Sequence, residues 1–412
     1  MPDTEELFKY LDKSPIAYFY TDPPIDDFTK KFQGDFCFSN GTSVFRVSAK
    51  DSISFKRLDA AIRRELFAKK TVFTYDIKKY CSYALYHNEI PFDIQTIDIK
   101  YLNHYFAVKS KPLTLREAVN VDLIEKYKKI NEVYSPLSTK VIPFLENREF
   151  IDDTPPAKYK HTTYDIEAQA NGRMSCHKIA DNYLNIHTLS SAEKSKIRLK
   201  PDADKDDVFL ILDFMQMEVE MLSWLTGDAN LKEILRSGKD FYSSFGLNRD
   251  IGKALFLPTV YGMQPSTLAA RFKIEVGVAE KLIKTIKEQF KTAFDWLTEK
   301  QEALKDNPIA EDYHGRLRDF SNEPHYKRLN SEVQSPASLF CLMKLNFLFD
   351  KLQEYLWFSL HDGFGLYCNI KDLKNIIKEG KEVLEREEDL FPGLKIKVSV
   401  KVGHNLADTI SI

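Results

Sequence analysis

The sequence predicts an α+β protein of more than one domain, on three observations. Between residues 15 and 110, short β-rich runs alternate with turn residues and an amphipathic stretch. Two long segments, 278–304 and 337–355, carry apolar residues at helical spacing. Strand-like runs near 208–212, 357–368 and 394–402 are interleaved with those helices. A length of 412 residues corresponds to roughly two to three domains.

In chain order, residues 17–21, 35–39, 43–47 and 71–75 read as strands, with Asn40-Gly41 as a turn. An amphipathic helix is expected over 55–69, where Leu58, Ile62 and Leu66 share one face. Residues 113–147 read as mostly helical, and Asp152-Asp-Thr-Pro-Pro156 as a linker or sharp turn. Residues 208–212 form a continuous apolar run that stops at Asp213. It reads as a strand buried on both faces or a buried helical segment. Leu282, Ile286, Phe290, Phe294 and Leu297 predict one helix over 278–304, and a second apolar helix follows at 337–355. Two β-rich runs flank His361-Asp362-Gly363, a hairpin signal. The strict alternation of residues 394–402 predicts a half-solvated strand closed by Gly403.

Composition narrows the functional classes. Lysine plus arginine total 59 against 61 aspartate plus glutamate, so a polyanion must be held by a local cluster of positive charge. With 43% hydrophobic residues the chain can bury a large core, which excludes wholesale disorder. Five scattered cysteines without a Cys-x-x-Cys pair argue against a disulfide framework or structural zinc. With no apolar stretch of membrane-spanning length and an acidic start, they predict a soluble protein of a reducing, cytoplasmic compartment.

Two carboxylates stand where chemistry could be built. Asp213 ends an apolar strand, where a carboxylate is costly to desolvate unless it meets a cation. Asp362 sits at a hairpin tip. If the two strands are neighbours, both carboxylates project from one sheet edge, a geometry suited to a pair of Mg²⁺ ions clamping a phosphoryl group. Either aspartate alone also reads as an ordinary turn residue. Arg249, Lys253 and Tyr261 follow at i, i+4 and i+12, close to one helical stripe that would suit a triphosphate and its base. Cations at that spacing alone also read as a solvated helix face.

Six segments carry a resemblance. Residues 213–228 resemble motif A of the family A DNA polymerases, residues 249–262 their motif B, and His361-Asp362 the His-Asp of motif C. Asn330 to Gln334 is similar to the family's Asn-x-x-x-Gln segment, Asn171-Gly-Arg173-Met-Ser175 to its Thr-Gly-Arg-Leu-Ser stretch, and Gly403-His-Asn405 to its closing Gly-x-Asn-Trp. The resemblance implies a right-hand polymerase: an antiparallel-sheet palm, helical fingers and a reduced thumb. Its parts would be a degenerate 3′–5′ exonuclease-like, ribonuclease H-like α/β domain at 1–112, a reduced thumb or linker at 113–170, palm at 171–228, fingers at 229–325 and palm again at 326–412.

It implies roles residue by residue. Asp213, Asp362 and the Phe214 carbonyl would hold two Mg²⁺ ions, with Mn²⁺ as a substitute. Arg249 and Lys253 would bind the incoming triphosphate, Lys253 taking part in catalysis. Leu257 and Tyr261 would border the nucleotide, Tyr261 beneath the templating position. Glu218 would close the pocket on the sugar's 2′ side, selecting deoxynucleoside triphosphates. Arg173, Asn330, Gln334 and His361 would contact primer-template DNA. The implied activity is template-directed primer extension in a bacterial or phage-infected cell, in replication or repair, with a processivity or replisome partner and no membrane partner.

The chain departs from the family pattern at Glu220 (usually Arg), Leu257 (usually aromatic), Pro258 (usually Gly) and Gly363 (usually Glu). Pro258 should kink or end its helix, and altered sugar discrimination is expected. In the N-terminal region residues 74–90 resemble the family's Asn-x-Lys-x-Asp exonuclease helix, with Lys79 matched but Cys81 where the catalytic aspartate belongs. No proofreading is therefore expected. Competing readings are a two-metal nuclease or phosphatase, a DNA-binding pseudo-polymerase and a single-subunit RNA polymerase.

Overall fold

The computed structural model describes residues 17–30, 32–39, 44–48, 72–88, 96–106, 121–166, 168–198, 206–246, 248–323 and 325–412. The expected helix at 55–69, the Asn40-Gly41 turn and residues 113–120 of the expected helical segment lie outside them.

The N-terminal part is a five-stranded sheet of β1 (Ala17–Asp22), β2 (Asp35–Ser39), β3 (Val44–Ser48), β4 (Val72–Thr74) and β5 (Thr96–Asp98), in the order β3-β2-β1-β4-β5. β1, β2 and β3 pair antiparallel, whereas β4 and β5 run parallel to β1. Helices α1 (Ile77–Asn88) and α2 (Ile99–Phe106) follow the two parallel strands. Phe19, Phe36, Phe38 and Tyr80 meet in a buried aromatic cluster, with Phe19 and Tyr80 edge to face at 5.0 Å. Phe73, Ile97 and Leu102 instead belong to the core of the rest of the molecule, so the N-terminal sheet is fused to it rather than tethered.

Helix α3 (Val121–Pro136) runs through a π-helical turn, Leu137–Val141, into α4 (Ile142–Glu146). The Lys78 ammonium of α1 donates to Glu146 at 2.8 Å, a buried pair that locks the N-terminal module onto α4. The Pro-rich segment at 152–156 turns between β6 (Phe150–Asp152) and β7 (Lys158–Thr162), an antiparallel hairpin. Short strands β8 (Tyr164–Asp165), β9 (Ser175–Cys176), β10 (Tyr183–Leu184) and β11 (Ile197–Arg198) and helix α5 (Ser191–Lys194) lead into the second sheet.

That sheet positions the site. β12 (Asp207–Phe214) lies in its middle, and Val208, Phe209, Leu210 and Leu212 are almost wholly buried. After β12 the chain builds a helical layer: α6 (Met217–Thr226), α7 (Ala229–Arg236), α8 (Arg249–Val260), α9 (Pro265–Phe272), α10 (Val276–Gln289) and α11 (Lys291–Asp306). A small hairpin of β13 (Ile309–Glu311) and β14 (Leu317–Asp319) precedes α12 (His325–Leu352). The chain then returns to the sheet as β15 (Leu356–Ser359) and β16 (Gly363–Asn369), crosses it as α13 (Leu373–Leu384), and finishes as β17 (Val398–Gly403) and β18 (Thr409–Ser411). The order is β15-β16-β12-β17-β18, antiparallel throughout.

Two helix expectations are corrected. The single helix over 278–304 is two helices that meet at Phe290, whose backbone leaves the helical region (φ −115°, ψ 48°). The break lets the Phe290 ring bury fully against Phe241 and Phe256, and that packing outweighs the unbroken helical periodicity. The helix expected at 337–355 begins at His325 and ends at Leu352. Its earlier turns carry polar residues, of which Gln334 bonds Asn171 and Ser335 bonds Asp312, so apolar spacing marks only its later part. Helix α8 passes Pro258 by two residues and ends at Val260.

Candidate active site

The site begins as a property of the sheet. In the antiparallel ladder Asp213 of β12 stands opposite Gly363 of β16, which places Asp362 beside it at the hairpin tip. The Phe214 N–H donates to the Asp362 carbonyl at 2.9 Å, and the Leu360 N–H closes the tip on the Gly363 carbonyl at 2.8 Å. On the other side Ser399 Oγ donates to the Asp213 carbonyl at 3.1 Å. Both aspartates are thus fixed by backbone bonds. The Phe214 ring anchors β12 beneath them, edge to face with Phe364 and tilted on Phe340.

Burial, and after it the neighbouring Asp362 carboxylate, pushes the Asp213 pKa up to about 6, partly offset by Lys401 and Lys253. A divalent cation beside Asp213 would relieve that cost. Among the described residues no cluster of three or more His, Cys, Asp or Glu side chains could hold a metal alone. Neighbouring carboxylate oxygens of this kind suit a hard divalent cation that completes its shell with other oxygens.

The helical layer supplies the opposite wall. Gln216 adopts the left-handed conformation (φ 54°) and turns the chain from β12 into α6, its carboxamide oxygen accepting the Phe241 N–H at 2.8 Å. Glu218 in the first turn of α6 accepts the Gln334 Nε2–H at 2.8 Å, and Asn171 Nδ2 donates to Gln334 Oε1 at 2.9 Å. This chain of side chains ties α6, α12 and the 171–173 turn together. Asn248 caps α8 through the Asp250 N–H, so Arg249, Lys253 and Leu257 fall on successive turns of one face. Gly252 lets α8 pack closely, since a Cβ there would stand 2.1 Å from the Tyr242 carbonyl oxygen. Arg249 donates to Asp240 at 3.0 Å and lies over the Tyr242 ring at 5.7 Å.

Between sheet and helices is an open cleft of about 300 Å³, lined by Arg173, Asp213, Phe214, Glu218, Arg249, Lys253, Leu257, Gln334, His361 and Asp362. The structure thus brings together ten of the twelve residues singled out from sequence. Tyr261 caps the end of α8 behind the lining, and burial, with Glu218 beside it, raises its pKa well above the ordinary phenol value. Its hydroxyl is sealed from solvent without a well-formed hydrogen bond. Asn330 lies one turn before Gln334, outside the lining. Sequence reasoning missed Gln216 and Tyr242, which also line the cleft, and Asp240, which holds Arg249. It also missed His187, tilted against His361 with ring centroids 4.2 Å apart. Only a contact distant in sequence reveals it. Burial is the main cause that lowers both imidazoles to about 4.

Comparison with known sequences decides the family. The sequence profile of DNA polymerase family A matches residues 109–408, most of the chain. The protein belongs to this family. The mixed helix–sheet architecture is consistent with that membership. Over 269 residues the chain is 26% identical to the thermostable DNA polymerase I of Thermus filiformis, covering 58% of this chain and 32% of the relative. It is 22% identical over 300 residues to the thermostable DNA polymerase I of Thermus aquaticus (64% and 36%). It is 24% identical over 373 residues to DNA polymerase I of Helicobacter pylori (82% and 39%). The chain therefore spans between a third and two fifths of the length of these curated relatives. Among the described residues no helix is long and apolar enough to cross a membrane.

Proposed function

We propose that the protein is a DNA-directed DNA polymerase that adds deoxynucleotides to a primer 3′ end. The observation that carries this reading is one cleft holding the Asp213–Asp362 pair on the sheet and Arg249 and Lys253 on the facing helix. A two-metal nuclease or phosphatase has use for the carboxylates but not for a cationic helix face in the same cleft. The sheet around β12 together with α6, the helices α7–α11 and the helices α3–α4 correspond in this reading to palm, fingers and a reduced thumb.

Asp213, Asp362 and the Phe214 carbonyl would hold two divalent ions, Mg²⁺ by the oxygen character of the set. Such ions supply charge neutralisation and alignment for in-line phosphoryl transfer. The chain's own residues do the rest. Lys253 and Arg249 bind the triphosphate, for which Arg249 exchanges Asp240 for phosphate oxygen. Glu218, held by Gln334, borders the sugar at its 2′ position, and Leu257 offers an apolar surface to the base. Arg173 and His361 line the side that leads to the primer end, and duplex DNA is held mainly through its phosphates.

The N-terminal sheet is read as an exonuclease-like module without proofreading. Three antiparallel strands joined to two parallel ones support that reading. Cys81, at the position expected for a catalytic aspartate, is wholly buried among apolar residues rather than facing solvent. Primer extension on a defined template, with each deoxy- and ribonucleoside triphosphate supplied singly, tests the proposal. Template-dictated addition of one deoxynucleotide is the expected result; no growth of the primer with any nucleotide contradicts it.

A further inference from the structure

His187 lies outside the cleft lining and against His361. Its ring centroid is 4.2 Å from that of His361, with the planes inclined at 51°. Its own orientation is fixed by two backbone groups. Nδ1 accepts the Cys176 N–H at 3.2 Å, and Nε2 lies 3.1 Å from the Ser359 carbonyl oxygen. Only the neutral tautomer protonated on Nε2 satisfies both, since a carbonyl must receive a proton and an N–H must meet a lone pair.

Ser359 is the last residue of β15, two positions before His361. Its N–H donates to the Tyr164 hydroxyl at 3.2 Å while its carbonyl is held by His187. The base of the hairpin tip is therefore pinned from outside the hairpin on both of its backbone groups. His361 itself has weak polar anchorage. Its Nδ1 is sealed from solvent without a hydrogen-bond partner, and its polar neighbour is the Met174 backbone. The His187 imidazole packs against its ring, centroids 4.2 Å apart.

We propose that His187 is a positioning residue for primer use: it sets the plane of His361 and the seat of the hairpin tip, and acts on the reaction only through them. The inference rests on the reading of the cleft as a polymerase site. A ring free to rotate about its side-chain torsions would meet the primer terminus in many orientations, and small misplacements of a positioning group cost rate out of proportion to their size. His187 does not itself line the cleft; it meets the lining at His361, and the Arg173 charge also acts on it.

The test is a double-mutant cycle on the full chain, measuring single-nucleotide addition with primer-template and dNTP varied separately. His187→Ala is expected to lower kcat/KM for primer-template by roughly ten- to hundredfold while leaving the dNTP KM unchanged. His187→Gln, which can still present an N–H to the Ser359 carbonyl, is expected to recover part of the loss. Adding His187→Ala to His361→Ala should cost little more than His361→Ala alone, because one residue works through the other. Multiplied losses in the double variant would overturn the proposal, as would wild-type primer kinetics in His187→Ala or His187→Gln at an unchanged melting temperature. If His361→Ala costs nothing while the wild type extends primers, the inference fails and the polymerase reading stands. A wild type that adds no nucleotide fails the reading itself.

Discussion

Asp213 and Gly363 face each other so closely that a Cβ on Gly363 would lie 2.8 Å from Asp213 Oδ1 and 3.2 Å from the Leu212 carbonyl oxygen. The departure from the family pattern at Gly363 is therefore part of how this chain seats its carboxylate. The Asp213 side chain has room at its flexible end and can swing aside. Gly363→Ala should accordingly displace the Asp213 carboxylate, which we propose to be catalytic, more than it disturbs the fold. We expect kcat to fall by roughly ten- to hundredfold with a melting temperature close to wild type. Single-turnover incorporation and thermal denaturation on one preparation check both halves.

Glu218 is held by Gln334 and stands beside the buried Tyr261 hydroxyl. Truncation to alanine removes the group proposed to border the sugar and leaves Gln334 Nε2 without its acceptor. The ratio of kcat/KM for a deoxynucleotide to that for the matching ribonucleotide should drop by roughly a hundredfold for Glu218→Ala. Glu218→Gln, similar in bulk, should keep most of the discrimination. Parallel incorporation of one dNTP and its rNTP opposite the same template base measures this.

Glu220, where the family pattern has arginine, gives a pH signature separate from catalysis. Burial pushes its carboxyl up to about 7, only partly offset by Lys397. The folded pKa exceeds the unfolded value, so between about pH 4.5 and 7 the native state binds more protons than the unfolded state. The contribution of Glu220 is thus complete below that window and is lost as pH rises through it. Glu220→Gln carries no charge at any of these values. Its melting temperature should match wild type near pH 5 and exceed it by roughly 1–3 °C near pH 8. Equal differences at both pH values would refute the burial argument.

Arg249 reaches the cleft but is paired with Asp240 at 3.0 Å, and both are partly exposed. The pair is weak in water, so its loss should cost little stability. Asp240→Asn frees the guanidinium for phosphate and should lower the dNTP KM by about two- to fivefold, whereas Arg249→Ala should raise it by roughly tenfold or more. Pre-steady-state dNTP titrations separate the two outcomes.

How much was legible in the sequence follows from what kind of physics placed each group. Asp213 and Asp362 could be found because a buried strand and a tight hairpin leave local marks, an apolar run and a His-Asp-Gly tip. Arg249, Lys253 and Leu257 shared a face because helical spacing is a local rule. The break at Phe290 was invisible, since apolar periodicity continues through it and only the aromatic cluster around Phe241 explains it. The early start of α12 was hidden for the opposite reason: its first turns carry polar residues that belong to the site. His187 left no signal, because Ser359 and His361, on which it acts, lie more than 170 residues away in the chain.

The central claim is that Asp213 and Asp362 together hold the divalent ions that make the cleft a polymerase. Primer extension titrated with Mg²⁺, using wild type, Asp213→Asn and Asp362→Asn, tests it most directly. Wild-type extension should rise saturably with Mg²⁺ and vanish with chelator, and each variant, folded and still binding primer-template, should lose at least roughly a thousandfold in rate. Extension by either variant at a rate near wild type would contradict the account.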